Sequence, residues 1–172
     1  MKIYSASFDN TVKILSAIIT LAILVIEANF IYNTAKALSN GMALSAFTGK
    51  IFLLLILISI VLFTFLFSIK HYAVSNNALI IQRWINKVEI PFTEIKEARI
   101  LGENDMGMVF RTFGVGGLFG YFGKFSSSKL GSIAYYATQN KNKIFIELKS
   151  GKKIVISPDN AGIVGELSDK KY

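Results

Sequence analysis

The sequence predicts two membrane-spanning helices followed by a mainly-β domain that a C-terminal helix caps. Two long apolar runs near the N-terminus and short alternating runs after His71 support this fold class. A chain of 172 residues has room for about one domain, or for a small domain with membrane segments. It is 52% apolar, yet Lys and Arg outnumber Asp and Glu by 19 to 11. The hydrophobic and the basic residues must therefore occupy different parts of the chain.

The second apolar run, residues 51–69, is the stronger helix signal. It contains no charged residue and lies between Lys50 and Lys70. A helix of about 20 apolar residues crosses the roughly 30 Å hydrocarbon core of a bilayer. We therefore predict a transmembrane helix over residues 51–69.

The first apolar run extends from Val12 to Tyr32 and is interrupted by Lys13 and Glu27. We interpret residues 12–35 as a first crossing, preceded by an N-terminal segment 1–11 and followed by a short outer loop 36–50. The alternative is a secretory signal, because Ala35-Lys36-Ala37 is similar to a cleavage tripeptide. With two crossings, both termini lie on one side. Residues 70–172 carry fifteen basic and nine acidic residues, which favours the cytoplasmic side for the domain.

Glu27 is a candidate intramembrane contact. Ser16 and Thr20 fall on the same helix face, because each residue advances the helix by about 100°. An ionisable residue there either serves a partner helix or a proton path, or it lies near the outer interface, neutral or paired with Lys36 or Lys50. We favour the second interpretation, in which Glu27 lies near the outer interface.

The rest of the chain, residues 70–172, alternates as β-strands do. A Ser75-Asn76-Asn77 turn separates two strands, because Asn tolerates a positive φ. The clearest alternation places Ile144, Ile146 and Leu148 on one face, and a Ser150-Gly151 turn leads to the next strand. We predict six or seven strands and a helix over residues 158–169, with Ser157 as its N-cap and Pro158 at its first position.

Three segments of this region resemble bacterial pleckstrin-homology (PH)-like domains. "YAVSNNALIIQRWINKVEIPFTEIKEARI" resembles the opening of such domains, and "RTFGVGGLFGYFGKF" with "GKKIVISPDN" is similar to a membrane-anchored subfamily with two N-terminal transmembrane helices. The resemblance covers roughly residues 71–168. It implies a PH-like barrel of two nearly orthogonal antiparallel sheets capped by the final helix. It also implies a bacterial inner-membrane protein with a cytoplasmic domain.

The glycine-rich stretch 111–125 lies in a predicted insertion, residues 106–131. It is not a dinucleotide fingerprint, because Phe119 stands where the third glycine is needed and no helix follows; Gly123-Lys124 also lacks the Ser or Thr of a phosphate loop. The insertion is either an ordered lid of the barrel or a contact surface for acidic lipid or a protein partner. The residues predicted to make such contacts are Arg111, Phe113, Phe119, Tyr121, Phe122, Lys124, Lys129, Lys141 and Lys143.

Catalytic and metal chemistry have little support in the composition. The chain has no cysteine and a single histidine, His71, and its acids are scattered. We expect no catalytic residues, no cofactor, no metal and no nucleic-acid partner. The predicted function is a membrane-anchored, non-enzymatic binding module; the alternative is a structural or regulatory subunit of a larger membrane complex, associating through its transmembrane helices.

Overall fold

The computed structural model describes residues 1–169 and begins with a strand and two long helices. Helix α1 spans Asn10–Ser39 and helix α2 spans Thr48–Leu66; a short 3₁₀ helix, Leu44–Phe47, joins them. The Asp9 carboxylate caps α1 by accepting a hydrogen bond from the Val12 N–H at 2.8 Å. Both helices are long and apolar enough to cross a membrane. Helix α1 begins two residues before the predicted segment 12–35 and continues beyond its end. Helix α2 begins three residues before the predicted segment 51–69 and ends before residue 69.

The first sheet contains a strand from the N-terminal segment, which the sequence did not predict. Its order is β1-β2-β3-β4, with every pair antiparallel. The strands are β1 (Lys2–Ser5), β2 (Ile69–Val74), β3 (Ala78–Arg83) and β4 (Lys87–Pro91). Because β1 precedes α1 and its partner β2 follows α2, both ends of the helical pair meet at one sheet.

The second sheet has six strands in the order β5-β9-β10-β8-β7-β6. They are β5 (Ile95–Ile100), β6 (Val109–Gly116), β7 (Tyr121–Ser127), β8 (Gly131–Ala137), β9 (Ile144–Leu148) and β10 (Lys153–Ile156). The predicted turns at 75–77 and 150–151 are confirmed. The described residues hold ten strands in all, more than the six or seven predicted, because both β1 and the glycine-rich stretch contribute to sheets.

Two hydrophobic cores lie on opposite faces of the second sheet. The first contains residues of both sheets, such as Tyr72 and Ile144, together with Ile163 and Leu167 of the final helix. The second contains Phe145 and is covered by Leu101 and Met106, from the segment between β5 and β6. Neighbouring residues of β9 therefore pack into different cores, as strand alternation requires.

Two predictions need correction. The sheets are not closed into a barrel, and the β8–β10 pair is parallel, so the second sheet is not wholly antiparallel. The final helix, α3, spans Ile163–Asp169 and does not begin at residue 158. Ser157 is no N-cap, because its hydroxyl accepts hydrogen bonds from the N–H groups of Thr138 and Gln139. Residues 170–172 of the predicted domain lie outside the described residues.

Candidate functional site

The glycine-rich stretch forms a hairpin of β6 and β7, with one irregularity in the pairing between Arg111 and Phe113. Gly114 and Gly123 face each other across it with φ values of 111° and 123°. A Cβ on Gly114 would lie 2.3 Å from the Phe122 carbonyl oxygen, and a Cβ on Gly123 would lie 2.3 Å from that of Phe113. Only glycine permits this approach of two backbones. The glycines therefore build a hairpin and do not form a phosphate cradle.

The hairpin tip packs against the first turns of α1. The Phe119 N–H donates a hydrogen bond to the Ser16 hydroxyl at 2.8 Å, and Ser16 is buried. A Cβ on Gly117 would lie 2.5 Å from Leu15 Cδ2, so the backbone of the tip touches the helix surface. The Phe119 ring meets the Phe65 ring of α2 edge-on, with centroids 5.4 Å apart. The tip thus connects the second sheet to both helices.

A second group of aromatic contacts lies at the C-terminal end of α2. Trp84 stacks on Phe65 with ring centroids 5.2 Å apart, and the Lys70 ammonium lies 4.9 Å from the Trp84 ring centroid. The Ile85 N–H donates to the Leu66 carbonyl at 3.0 Å. Trp84 and Ile85 nevertheless keep about half of their surface, 49% and 51%, exposed. An exposed apolar turn therefore adjoins the end of an apolar helix.

Strand β6 is an exposed edge of the second sheet. It pairs with β7 on one side only, and the side chains of Phe110 and Phe113 are 60% and 74% exposed. An irregularity between Arg111 and Phe113 places Phe113 opposite Lys124, and the Thr112 hydroxyl donates to the Lys124 carbonyl at 2.9 Å. The free edge presents unpaired backbone groups beside aromatic and basic side chains.

The structure separates the nine predicted contact residues. Arg111, Phe113 and Lys124 are exposed on the hairpin, where Phe113 pairs with Lys124 and Arg111 pairs with Phe125. Phe122 has only 8% of its surface exposed and belongs to the first core, so little of it is accessible to a lipid or a partner. Tyr121 is half-buried and accepts a hydrogen bond from the Asn140 amide.

The remaining basic residues lie on loops and not on the paired strands of the hairpin. The Lys129 ammonium donates to the Asn104 carbonyl at 2.8 Å. Lys141 and Lys143 occupy the loop between β8 and β9. Burial lowers the pKa of Lys143 below its ordinary value, and the nearby Asp9 carboxylate offsets only part of this shift. Three predicted residues are therefore exposed on the β6–β7 hairpin, and the other six lie at its tip, in the first core or on loops.

Glu27 lies in a cleft between the two helices. Thr20 and Glu27 line the cleft from α1, Val61 and Phe65 line it from α2, and Phe119 closes one end. The cleft volume is about 370 Å³. Within residues 1–169, Glu27 forms no ion pair, with Lys36 or Lys50 or any other residue. The polar stripe of α1 thus faces α2 and the hairpin tip.

The N-terminal segment makes contacts with the C-terminal region that the sequence did not predict. Tyr4 is 5% exposed and its hydroxyl donates to Glu166 of α3 at 2.7 Å. The Asp159 carboxylate accepts hydrogen bonds from the Ser7 N–H and hydroxyl. Strand β1 has only four residues, too few for an alternation of apolar and polar side chains to stand out in the sequence. It forms a strand because it pairs with β2, which lies far along the chain.

Two sheets that share a core with a C-terminal helix define the class: a PH-like domain, here preceded by two apolar helices. Domains of this class are typically non-enzymatic binding modules. The family model described as "Bacterial PH domain" matches residues 70–171, more than half of the chain. The chain therefore belongs to the bacterial PH domain family. No curated protein and no solved structure matches it significantly.

Proposed function

We propose that this chain is a membrane-anchored binding module that takes up an acidic, extended segment of a protein partner along the free edge of β6. The observation that carries the proposal is the exposure of this edge strand, whose side chains Phe110 and Phe113 are 60% and 74% exposed. An edge with unpaired N–H and C=O groups accepts another strand by main-chain hydrogen bonding. The rings beside it would supply pockets for alternate side chains.

Membrane anchoring rests on the surface of the helices. Large apolar side chains, among them Ile18 and Leu21 of α1 and Phe52 and Phe63 of α2, are each more than half exposed. Apolar surface of this extent is unfavourable in water and suits hydrocarbon. Because β1 pairs with β2, the helices would cross as a hairpin, with the domain on one side. The basic balance of residues 70–172 favours the cytoplasmic side, and we propose the inner membrane of a bacterium as the location.

A protein segment suits the β6 edge better than a lipid does. Hydrocarbon offers nothing to the backbone groups of an open edge, whereas a peptide backbone pairs with them. Charge supports an acidic partner, because no Asp or Glu occurs from residue 106 to residue 146, and the exposed hairpin carries Arg111 on β6 and Lys124 opposite Phe113 on β7. Such charges raise the association rate and select partners of opposite sign.

Photo-crosslinking from the full chain in its native membrane tests this proposal. A photoreactive phenylalanine analogue at position 113 should give a protein adduct of one discrete mass. Arg111→Glu together with Lys124→Glu should reduce the adduct at least about tenfold by charge repulsion. Ile100 is a matched control, since it is exposed and apolar but lies on β5, at the opposite edge of the same sheet. Lipid adducts alone at position 113, or equal protein adducts at 113 and 100, would overturn the proposal.

Lipid contact is a second candidate, and a different surface favours it. The Trp84–Ile85 turn adjoins the end of α2 and Lys70, which combines an exposed ring with a cation at the place where the headgroups of a bilayer would lie. A photoreactive group at Ile85 should label lipid. Ile85→Ser together with Lys70→Gln should reduce the retention of the domain at anionic bilayers by half or more. The readout is cleavage of residues 70–169 by an added protease, which becomes faster when the domain leaves the bilayer surface. Unchanged cleavage on anionic and neutral bilayers would exclude this contact.

A further inference from the structure

The cleft between α1 and α2 combines apolar walls with one carboxylate. Its walls are built largely from Ile, Leu, Val and Phe side chains, and Glu27 is the only charged residue of the lining among residues 1–169. A volume of about 370 Å³ lies within the range of small-molecule sites, which are mostly apolar with a few placed polar groups. The Thr20 hydroxyl is the other polar side chain of the lining. The cleft therefore has the composition of a binding site and not of a simple packing defect.

Glu27 is deep along the helix. It lies about 21 Å beyond Lys13 at 1.5 Å per residue, inside a hydrocarbon layer about 30 Å thick. An ionisable group at that depth is costly unless a cation or a hydrogen-bond donor meets it. None of the described residues bonds to its carboxylate, and the apolar side chains around it supply no positive charge.

We propose that this cleft binds a single-chain amphiphilic amine, whose ammonium pairs with Glu27 while its hydrocarbon chain lies along the apolar walls toward Phe65 and Phe119. The inference rests on the proposed function, since it requires the helices to lie in a membrane. An acyl chain alone would fill the walls and leave the carboxylate without a partner. A partner helix, about 10 Å or more in diameter, could cover the cleft but could not enter it.

The site includes its own reporter. Trp84 is the single tryptophan of the chain and stacks on Phe65, which lines the cleft. A chain that contacts Phe65 alters the surroundings of the indole ring. Fluorescence of Trp84 therefore follows occupancy without any added label.

The experiment uses the full chain in neutral-lipid nanodiscs, titrated with dodecylamine and, in parallel, with dodecanol of equal chain length. In the unaltered chain, dodecylamine should change Trp84 fluorescence until the change saturates. The concentration that gives half of this change should be at least about tenfold lower than in Glu27→Gln. Dodecanol should give one weak response in both proteins. Equal dodecylamine responses in the two proteins, or equal responses to the amine and the alcohol, would overturn the inference.

Two further variants separate the cleft from general partitioning. Val61→Phe reduces the space in the cleft and should weaken the amine response at least about fivefold. Val25→Phe adds the same volume at a position that is 60% exposed and does not line the cleft, so its response should match the unaltered chain. Matching responses from Val61→Phe and the unaltered chain would contradict the site.

Failure of the inference differs from failure of the proposed function. If the chain stays soluble without detergent and does not float with liposomes, the membrane anchoring itself is wrong. If it floats and the amine response does not depend on Glu27, only the inference fails. The inference would also be overturned if neither the unaltered chain nor Glu27→Gln responded to the amine, and if Glu27→Gln formed oligomers of a different size from the unaltered chain. That result would assign Glu27 to a contact with a partner helix.

Discussion

Phe119 and Phe113 belong to the same glycine-rich hairpin, yet the fold uses them in opposite ways. Phe119 lies at the tip, where its N–H bonds to Ser16 and its ring contacts Phe65. Phe113 lies on the free edge of β6 and is 74% exposed. The comparison shows that two aromatic residues of one motif can have different surroundings: the tip joins the domain to the helices, and the edge strand is exposed.

The largest expected effect concerns the glycines that allow both roles. Gly114→Ala places a Cβ 2.3 Å from the Phe122 carbonyl oxygen at a φ of 111°, so we expect a loss of more than about 3 kcal/mol in the free energy of unfolding. Gly131→Ala is the matched control. Gly131 has a φ of 73° but open space around its Cβ position, so about 1–2 kcal/mol should be lost there. Denaturation followed by circular dichroism measures both, and equal losses would show that the close approach is not real.

The next effect compares a covered sheet edge with the free one. Strand β1 covers β2, and Tyr4 is 5% exposed with its hydroxyl bonded to Glu166. Tyr4→Ser should lower the free energy of unfolding by roughly 3 kcal/mol, as for other large-to-small core changes. The same assay on Phe110→Ser, on the free edge, should show a change below about 0.5 kcal/mol. A loss at Phe110 as large as that at Tyr4 would mean that something covers β6 in the isolated chain.

Truncation of the two rings compares tip and edge directly. Phe119→Ala should cost about 2 kcal/mol, because the ring is half-buried against Phe65, whereas Phe113→Ala should cost less than about 0.5 kcal/mol. Trp84 fluorescence should also change in Phe119→Ala, since Trp84 and Phe119 share Phe65 as a neighbour. The reverse order of the two losses would reverse the assignment of roles.

The smallest effect is the loss of one hydrogen bond at the tip. Ser16→Ala leaves the Phe119 N–H without its acceptor and should cost about 1 kcal/mol. Proteolysis at residues 117–120 should become faster, because the tip is held less firmly. Thr11→Ala, at an exposed position one turn earlier on α1, is the control and should leave the cleavage rate unchanged.

Local sequence patterns predicted much of the domain. The strands around the 75–77 turn and the alternation of Ile144, Ile146 and Leu148 lie where alternation and turn chemistry placed them. Strand β1 was missed because its partner, β2, comes after both helices, so no local pattern marks it. The start of the final helix was predicted too early, because the Ser157 hydroxyl binds the end of β8 instead of capping a helix.

The candidate site was only partly predictable. Composition identified a basic, aromatic and acid-free stretch, and Arg111, Phe113 and Lys124 are exposed on it. Composition could not separate these from Phe122, which packs into the first core. Trp84 and Ile85 were not grouped with the stretch, because they meet the helices from another strand pair.

Cysteine labelling of the purified full chain tests the central claim, that tip and edge differ in accessibility. The sequence contains no cysteine, so Phe113→Cys and Phe119→Cys each introduce a unique thiol. A water-soluble maleimide should modify position 113 at least about tenfold faster than position 119, and Ser16→Ala should accelerate only position 119. Equal rates at the two positions would contradict this account of the hairpin.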